Sequence, residues 1–276
     1  MTVPPPPPGS PWDLPLSDAP LAFVDLEMTG LDVARDAILE VCIERWVGDR
    51  KVGELASLVR PPAGGVDRAT HIHGISEEMV AAAPTFDELA PRARALLDGA
   101  VFVAHAAEWD AKFLRKGFDA AGAPFAIDHW VDTLTLARRC FGLESHSLDA
   151  LCKHFAIPRE RAHRASDDVS ALREVFRRCV EALRPTTPRD LWEVRIAERK
   201  AREVVIAACE AAAVSMKPVS VTYRPSRKGA QVFLMMIREV RKTTEPVHVI
   251  GYLLPSHARR ELRADRILHV EPPPEK

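Results

Sequence analysis

Four acidic residues have the types and spacing of a site that binds cations. Asp25 and Glu27 stand two residues apart in the apolar stretch LAFVDLEM. Side chains at positions i and i+2 of a strand project from the same face, so the two carboxylates are predicted to point the same way. Burying both is costly unless their charge is compensated, and a pair of divalent cations compensates it well. A structural ion pair, or a strand end at which both acids reach solvent, is the competing interpretation.

Two further acids extend this pattern along the chain. Asp110 follows a β-rich run at 100–105, and Asp168 lies in the segment HRASDD, five residues after His163. Asp167 neighbours Asp168 but is expected to point elsewhere, as a solvated acid in the first turn of a helix.

Three segments, FVDLEMTGL, VAHAAEWDAKFL and HRASDD, resemble the three motifs of the DEDDh 3′→5′ exonucleases, the group that contains the epsilon proofreading subunit of the bacterial replicative polymerase. The resemblance covers roughly residues 20–182 and includes HIHGIS (71–76) and SLDALCKHFAI. It implies an α/β domain with an RNase H-like fold, in which a mixed sheet is flanked by helices.

The resemblance also implies the roles of the site residues. Asp25, Glu27, Asp110 and Asp168 would be ligands of two divalent cations, Mg²⁺ or Mn²⁺, and His163 would be the general base. These ions prefer oxygen ligands, and a pair of them activates water and stabilises the leaving oxygen in a displacement at phosphorus. Histidine suits the task of accepting a proton near neutral pH.

Substrate contacts are expected around the first two motifs and in HIHGIS. The predicted contacts are Met28, Thr29, Gly30, Leu31, His73 and Trp109. The backbone of 28–31 is expected to approach the 3′-terminal nucleotide, and Gly30 fits either that approach or a turn. The sequence departs from the usual motifs at Met28 (usually Thr), Ala106 (usually Asn) and Trp109 (often Phe). Activity is expected to persist, because no metal ligand is lost.

Composition divides the chain into four regions. Residues 1–19 are interpreted as a flexible tail, because the first twenty residues hold eight prolines. Residues 20–184 are predicted to form the exonuclease domain, which opens with three strands from Leu21, at 37–47 and at 53–60 and continues with alternating strand and helix. Residues 185–199 are predicted to be a linker entering a helix, and residues 200–276 a basic β-rich domain.

The β-rich domain is predicted to be small and barrel-like. VSVTYRPS, HVIGYLLP and RRELRADRILHVEPP loosely resemble the WYL domain, which implies a nucleic-acid or nucleotide ligand. Residues 185–276 carry 17 Lys+Arg against 11 Asp+Glu, whereas residues 1–184 carry 21 against 28. This asymmetry favours phosphate contacts by two clusters of basic residues. The clusters are Arg224, Arg227 and Lys228, and Arg259, Arg260, Arg263 and Arg266.

Composition also excludes several classes of protein. No run of about 18 apolar residues predicts a membrane span, and the N-terminal sequence has no signal-peptide pattern, so a cytoplasmic location is expected. The five cysteines are irregularly spaced and predict neither a disulfide framework nor a thiolate zinc site. The only glutamine, Gln231, lies in a predicted strand, so the sequence does not support a clamp-binding peptide, nor does it support a polymerase partner.

The sequence therefore predicts a metal-dependent 3′→5′ exonuclease that releases nucleoside monophosphates. DNA with single-stranded 3′ ends is the favoured substrate, in repair or turnover of nucleic acid. RNA 3′-end trimming and a non-catalytic nucleic-acid-binding regulator are the alternatives.

Overall fold

A computed structural model describes residues 4–62, 70–159, 163–224, 231–243 and 246–273. The chain forms two compact units. The first comprises Met1–Phe141 and His146–Arg195, and the second comprises Gly142–Ser145 and Ile196–Lys276. In the described residues, no helix combines the length and hydrophobicity needed to cross a bilayer.

The first unit is built on a mixed sheet of five strands in the order β3-β2-β1-β4-β5. The first three strands pair antiparallel, and β1, β4 and β5 pair parallel. The strands are β1 (Pro20–Met28), β2 (Ile38–Val47), β3 (Arg50–Leu58), β4 (Val101–Ala104) and β5 (Trp130–Asp132). The helices are α1 (Thr70–His73), α2 (Glu77–Ala81), α3 (Phe86–Leu97), α4 (Glu108–Ala120), α5 (Thr133–Cys140), α6 (Leu148–Phe155), α7 (Ala165–Leu183) and α8 (Pro188–Ser215), which begins in this unit.

The alternation of side chains along β1 decides which elements cover its two faces. Ala22, Val24 and Leu26 enter the main hydrophobic core, which α3 and α4 also line. On the opposite face Phe23 packs against Phe176 of α7, with ring centroids 5.3 Å apart. This face also carries Asp25 and Glu27, because they follow Phe23 at intervals of two.

The second unit contains an antiparallel sheet in the order β10-β6-β7-β8-β9. Its strands are β6 (Val219–Tyr223), β7 (Gln231–Arg241), β8 (His248–Leu253), β9 (Arg259–Arg263) and β10 (Ile267–Glu271). One face packs against the C-terminal half of α8, around Cys209, Ala212, Val221, Met235 and Val249. The predicted mixed sheet flanked by helices and the predicted β-rich C-terminal region are both confirmed.

The proline-rich N-terminal segment differs from the flexible tail that its composition predicts. Within residues 4–19, Trp12 is buried and its ring meets the ring of His129 edge to face. Arg189, in the first turn of α8, donates hydrogen bonds to the carbonyls of Pro6 and Pro7 and to the carboxylate of Asp13. Burial of Pro6, Trp12 and Ala19, together with the hydrogen bonds from Arg189, thus packs this segment in place.

Two short strands escape the sequence pattern. β5 has three residues and runs directly into α5, and β9 has five residues of which four are charged. Neither is long enough to show alternation of apolar and polar residues. Both are strands because they pair with a neighbouring strand, which the sequence pattern does not reveal.

Candidate active site

The packing of α7 on β1 brings Asp168 to the carboxylates of the strand. Glu27 lies four residues after Phe23, about 13 Å along a strand. Asp168 lies eight residues before Phe176, about 12 Å along a helix. Phe23 packs on Phe176, so both distances are measured from the same contact. Because they are nearly equal, Asp168 lies beside Glu27 when the helix and the strand run in opposite directions.

His163 joins the same cluster from the loop before α7. The ligand atoms of Glu27, His163 and Asp168 all lie within 4.8 Å of one another. The backbone of His163 is left-handed, with φ of 63°, a conformation that costs most residues energy and that histidine tolerates better than most. The loop therefore turns sharply at the residue that is predicted to be the base.

Asp110 reaches the cluster from the first turn of α4. β4 ends at Ala104, and its pairing with β1 extends only to Phe23, so the later residues of β1 are left without a β4 partner. The backbone N–H groups of Leu26 and of Asp110 itself bond to the Asp110 carboxylate, which counteracts the strong rise in its pKa caused by burial. The end of β4 thus leaves room for an acid beside β1.

Burial and like charge act together to raise the pKa values of Asp25, Glu27 and Asp110. Burial, followed by the charges of Asp110, Asp168 and Glu27, raises the pKa of Asp25 well above its usual value. Burial, followed by the charges of Asp168 and Glu40, raises the pKa of Glu27 to about 8. The structure therefore groups the ligand atoms of Glu27, Asp168 and His163, and places Asp25 and Asp110 near enough for their charges to interact with this group.

Arg159 is the cation that the protein itself supplies to this cluster. Its guanidinium donates Nε–H to Asp168 Oδ1 at 2.6 Å, donates Nη2–H to Asp168 Oδ2, and bonds to Asp149 of α6 through Nη1. Burial still raises the pKa of Asp168, although Arg159 counteracts that rise. One guanidinium against four carboxylates leaves an excess of negative charge.

The donor set fits hard divalent cations. All four acids offer carboxylate oxygens, which Mg²⁺ and Mn²⁺ prefer, and His163 adds one nitrogen that is equally able to accept a proton. A cation bound to Asp168 would take over the charge-balancing role that Arg159 has in this structure.

The predicted substrate contacts divide into three groups. His73 is buried, its Nδ1 accepts a hydrogen bond from the N–H of Ile75 at 3.0 Å, and its electrostatic neighbours include Glu40 and His163. Because Nδ1 accepts, the neutral ring carries its proton on Nε2, and no acceptor lies within hydrogen-bond distance of that atom among the described residues. Burial lowers the pKa of His73, so the ring is held neutral as a donor.

The segment after β1 is organised by Asp36. Thr29 is buried, its hydroxyl donates to Asp36 Oδ1 at 3.0 Å, and its N–H donates to the carbonyl of Ala37 at 3.0 Å, so both groups serve the loop. At Gly30, a Cβ atom would lie 2.5 Å from Asp36 Oδ2. The close approach of this carboxylate is a further reason for the glycine, beside the approach to the nucleotide and the turn that the sequence suggests.

The remaining predicted contacts lie at the edges of the cluster. Met28 packs against the main core, Leu31 is exposed, and Trp109 is half-buried with the Lys112 ammonium 5.0 Å from its ring centre.

In the turn before α4, Ala106 stands where the usual motif has asparagine. Ala106 has a left-handed backbone with φ of 63°, and its N–H donates to Asp132 Oδ1 at 2.9 Å. Asparagine adopts this conformation far more readily than alanine. His105 beside it bonds to Thr133 Oγ1 and the carbonyl of His146, both at 3.0 Å, in a structural role.

Sequence reasoning missed the residues that support the cluster from outside it. These residues are Glu40, Asp132, Arg159 and Arg164. Glu40 gave one usable signal, since it is a charged residue inside the apolar run ILEVCI of β2. Arg159 gave none, because its partners lie on two different helices.

The charges of the second unit are arranged differently from the predicted basic clusters. Arg263 pairs with Asp265 at 2.8 Å, and Arg241 pairs with Glu239 at 3.0 Å, so acids neutralise part of the surface. Tyr223 packs into the core of this unit, whereas Tyr252 is 41% exposed. Arg227 and Lys228 lie outside the described residues, and the WYL resemblance stays a prediction.

Fold and site together define the class of RNase H-like exonucleases. E. coli Exonuclease I in complex with a dT13 oligonucleotide has the same fold, with a TM-score of 0.54 and 15% identity over 92% of this chain and 65% of that one. The zinc-bound form of the E. coli Exonuclease I complex with single-stranded DNA gives a TM-score of 0.53 and 18% identity over 85% and 54%.

The chain belongs to the exonuclease family (RNase T), whose family model matches residues 22–176. It is 37% identical over 178 residues to a DNA polymerase III subunit epsilon-like protein of Rhodobacter capsulatus, covering 62% of this chain and 25% of that protein. It is 28% identical over 169 residues to DNA polymerase III subunit epsilon of Aquifex aeolicus, covering 61% and 84%.

The relatives differ greatly in length from this chain. The PolC-type DNA polymerase III of Thermotoga maritima is 31% identical over 172 residues, which are 62% of this chain and 13% of that polymerase. The chain thus matches only a small part of this PolC-type polymerase and of the Rhodobacter protein. The predicted family resemblance is confirmed.

Proposed function

We propose that this protein is a metal-dependent 3′→5′ exonuclease that releases nucleoside monophosphates from single-stranded 3′ ends of DNA. The observation that carries the proposal is the convergence of Asp25, Glu27, Asp110 and Asp168 with His163. Burying Glu27, Asp110 and Asp168 close to Asp25 opposes folding, so a function that uses these carboxylates is the economical explanation. The DNA-bound Exonuclease I structures and the epsilon-subunit relatives support a DNA substrate.

The four acids would hold two divalent cations, Mg²⁺ or Mn²⁺. Such ions, when bound, activate the attacking water and stabilise the charge on the leaving 3′ oxygen. Asp25 and Glu27 are fixed by β1, Asp168 by α7 and Asp110 by α4, so the ligands come from three separate elements. Rigid elements of this kind hold a site more precisely than loops do.

His163 would take the proton from the attacking water. Its ring nitrogen lies within 4.8 Å of ligand atoms of Glu27 and Asp168, close enough to meet a water shared with them. His73 would donate its Nε2–H to an oxygen of the terminal nucleotide, since that buried donor otherwise stays unsatisfied.

The decisive experiment is degradation of a 5′-labelled DNA oligonucleotide with Mg²⁺ or Mn²⁺. We expect a ladder that shortens from the 3′ end, release of mononucleotides, and no product after chelation. Asp25→Ala should abolish the ladder, and His163→Ala should reduce turnover strongly while Mn²⁺ binding persists. Asp119→Ala removes an exposed acid near the end of α4 and is the matched control, with unchanged activity.

Two results would contradict the proposal. One is full activity in Asp25→Ala or in excess chelator, which would place the chemistry elsewhere. The other is immediate release of the 5′ label as a mononucleotide without a ladder, which would show degradation from the 5′ end. A matched RNA oligonucleotide in the same assay decides between DNA degradation and RNA end-trimming, and absence of cleavage with retained binding would indicate a recognition protein.

A further inference from the structure

Glu40 is a buried acid that the catalytic scheme does not use. It lies on β2 directly opposite Glu27 of β1, and only 6% of its surface is exposed. Like charges facing each other across two strands are destabilising. Since this pair persists in the interior, the carboxylate of Glu40 must be strongly bound by something else.

Arg164 and the start of α7 supply that binding. Arg164 donates Nη2–H to Glu40 Oε1 at 2.8 Å and Nε–H to Oε2 at 3.1 Å, a two-pronged ion pair. The backbone N–H of Ala165 also donates to Glu40 Oε2, at 3.0 Å. Arg164 is the N-cap residue of α7 and makes no side-chain cap bond, so Glu40 of β2 does the capping from a different element.

These bonds hold the loop that carries His163. They are made by Arg164 and Ala165, the two residues that follow His163. The backbone of His163 itself is in the left-handed conformation. Asp168 lies one helical turn beyond the capped N–H, so its direction depends on the same anchor. β2 in turn is paired with β1 residue by residue from Pro20 to Glu27, with a register shift just after Glu27, and this pairing gives the anchor a fixed relation to the acids of the strand.

We propose that Glu40 and Arg164 are positioning residues that set His163 and Asp168 against Asp25 and Glu27. The proposal rests on the proposed function, because it assigns these two residues to the same site. Their pairing also keeps the charge of Glu40 from adding to the negative cluster, since Arg164 neutralises it at hydrogen-bond distance. Neither residue touches the reacting atoms, so both act through the residues that they hold.

The test compares Glu40→Gln and Arg164→Lys with the wild-type protein. Misplacing His163 should lower kcat for DNA by about ten- to hundredfold. KM should change by less than about threefold, because an indirect effect on the reacting groups leaves most substrate binding intact. Mn²⁺ affinity, measured by titration of the metal alone and without DNA, should weaken about tenfold, as is typical when the support of a ligand is lost.

Glu174→Gln is the matched control. Glu174 pairs with Arg177 at 2.6 Å on the partly exposed surface of the same helix, so its loss removes a Glu–Arg pair far less buried than Glu40–Arg164. We expect wild-type kcat and Mn²⁺ affinity from it. The double variant Glu40→Gln with Arg164→Lys should lose no more activity than the worse single variant, because both act through one contact.

Wild-type kcat and wild-type Mn²⁺ affinity in both single variants would overturn the proposal. So would a fall in kcat that is matched by Glu174→Gln. If Glu40→Gln unfolds below the assay temperature, Arg164→Lys decides, since it leaves a cation beside Glu40. If the wild type cleaves no DNA, the proposed function fails, whereas the Mn²⁺ titration still reports whether Glu40 positions Asp168.

Discussion

Six acidic side chains are buried in the first unit, whereas every charged side chain described in the second unit is at least partly exposed. The buried acids are Glu27, Asp36, Glu40, Glu44, Asp110 and Asp168. Asp36 and Glu44 are satisfied by hydrogen bonds from neighbouring side chains, such as Thr29 to Asp36 and Trp46 to Glu44. The others come from β1, β2, α4 and α7, and burial raises the pKa values of Glu27, Asp110 and Asp168.

This difference shows that buried charges are better evidence of function than exposed ones. A buried charge opposes folding, so buried acids without a structural role are expected only where function requires them. The acid cluster therefore indicates a catalytic or metal-binding site even without reference to related proteins. Surface charge costs little and is common, so the arginines of the second unit leave several roles open.

The largest effect is expected from neutralising a buried acid. Asp110→Asn should lower the rate of DNA degradation by about 10³-fold or more, because a lost ligand removes several kcal/mol of stabilisation from the reaction. The measurement is single-turnover cleavage with Mg²⁺ at saturating protein. A loss below about tenfold would remove Asp110 from the ligand set.

The same variant should gain stability in metal-free buffer. Burial raises the pKa of Asp110 in the folded protein, so the folded state holds a proton that the unfolded state releases above about pH 4. Wild-type stability therefore falls as the pH rises from that value, and asparagine removes this loss. Thermal unfolding in EDTA from pH 5 to 9 should show an advantage for Asp110→Asn that grows with pH. A variant that is less stable at every pH would show that Asp110 is a structural acid.

Much of this site follows from sequence, and the reasons are local. Asp25 and Glu27 could be assigned to one face because strand alternation is fixed over two residues, and Asp168 could be placed at a helix start by its sequence neighbours. Glu40, Arg159 and Arg164 could not be placed, because each depends on a partner from another element, and strand register and loop path decide those meetings. The packing of residues 4–19 was missed for the same reason, since proline content describes the backbone and not where Trp12 lies.

A smaller effect is expected from removing the protein's own cation. Arg159→Gln should destabilise the metal-free protein, since it leaves Asp168 unpaired among other acids. It should also enlarge the rise in Tm that saturating Mn²⁺ produces, because the metal no longer competes with a guanidinium. Thermal unfolding with and without Mn²⁺ measures both shifts. An unchanged metal-induced shift would mean that Arg159 and the cation bind independently.

A smaller effect still concerns the backbone before α4. Ala106→Gly should stabilise the protein by about 1 kcal/mol, because a left-handed conformation strains alanine and not glycine. The gain is reduced in part by the greater freedom of glycine in the unfolded chain. Denaturant titration of both proteins measures it, and a loss of stability would show that the methyl group packs usefully.

The smallest effect is expected in the second unit. Arg241→Ala removes the pairings of Arg241 with Glu239 and Glu261, which lie at the surface. The midpoint of denaturant unfolding should stay within error of the wild type, because solvent screens such pairs. A fall in this midpoint as large as that caused by Arg159→Gln in metal-free buffer would show that charged pairs matter equally to the stability of both units.

The clasp between the N-terminal segment and the first turn of α8 has a practical consequence for protein engineering. Leu16 donates its N–H to the carbonyl of Thr186, and Arg189 donates its own N–H to the carbonyl of Trp12. A shortened variant that starts at residue 20 would remove the Trp12 ring from His129 and leave Arg189 without its carbonyl acceptors. Deletions designed for crystallisation should therefore spare residues 4–19, however dispensable a run of prolines looks on paper.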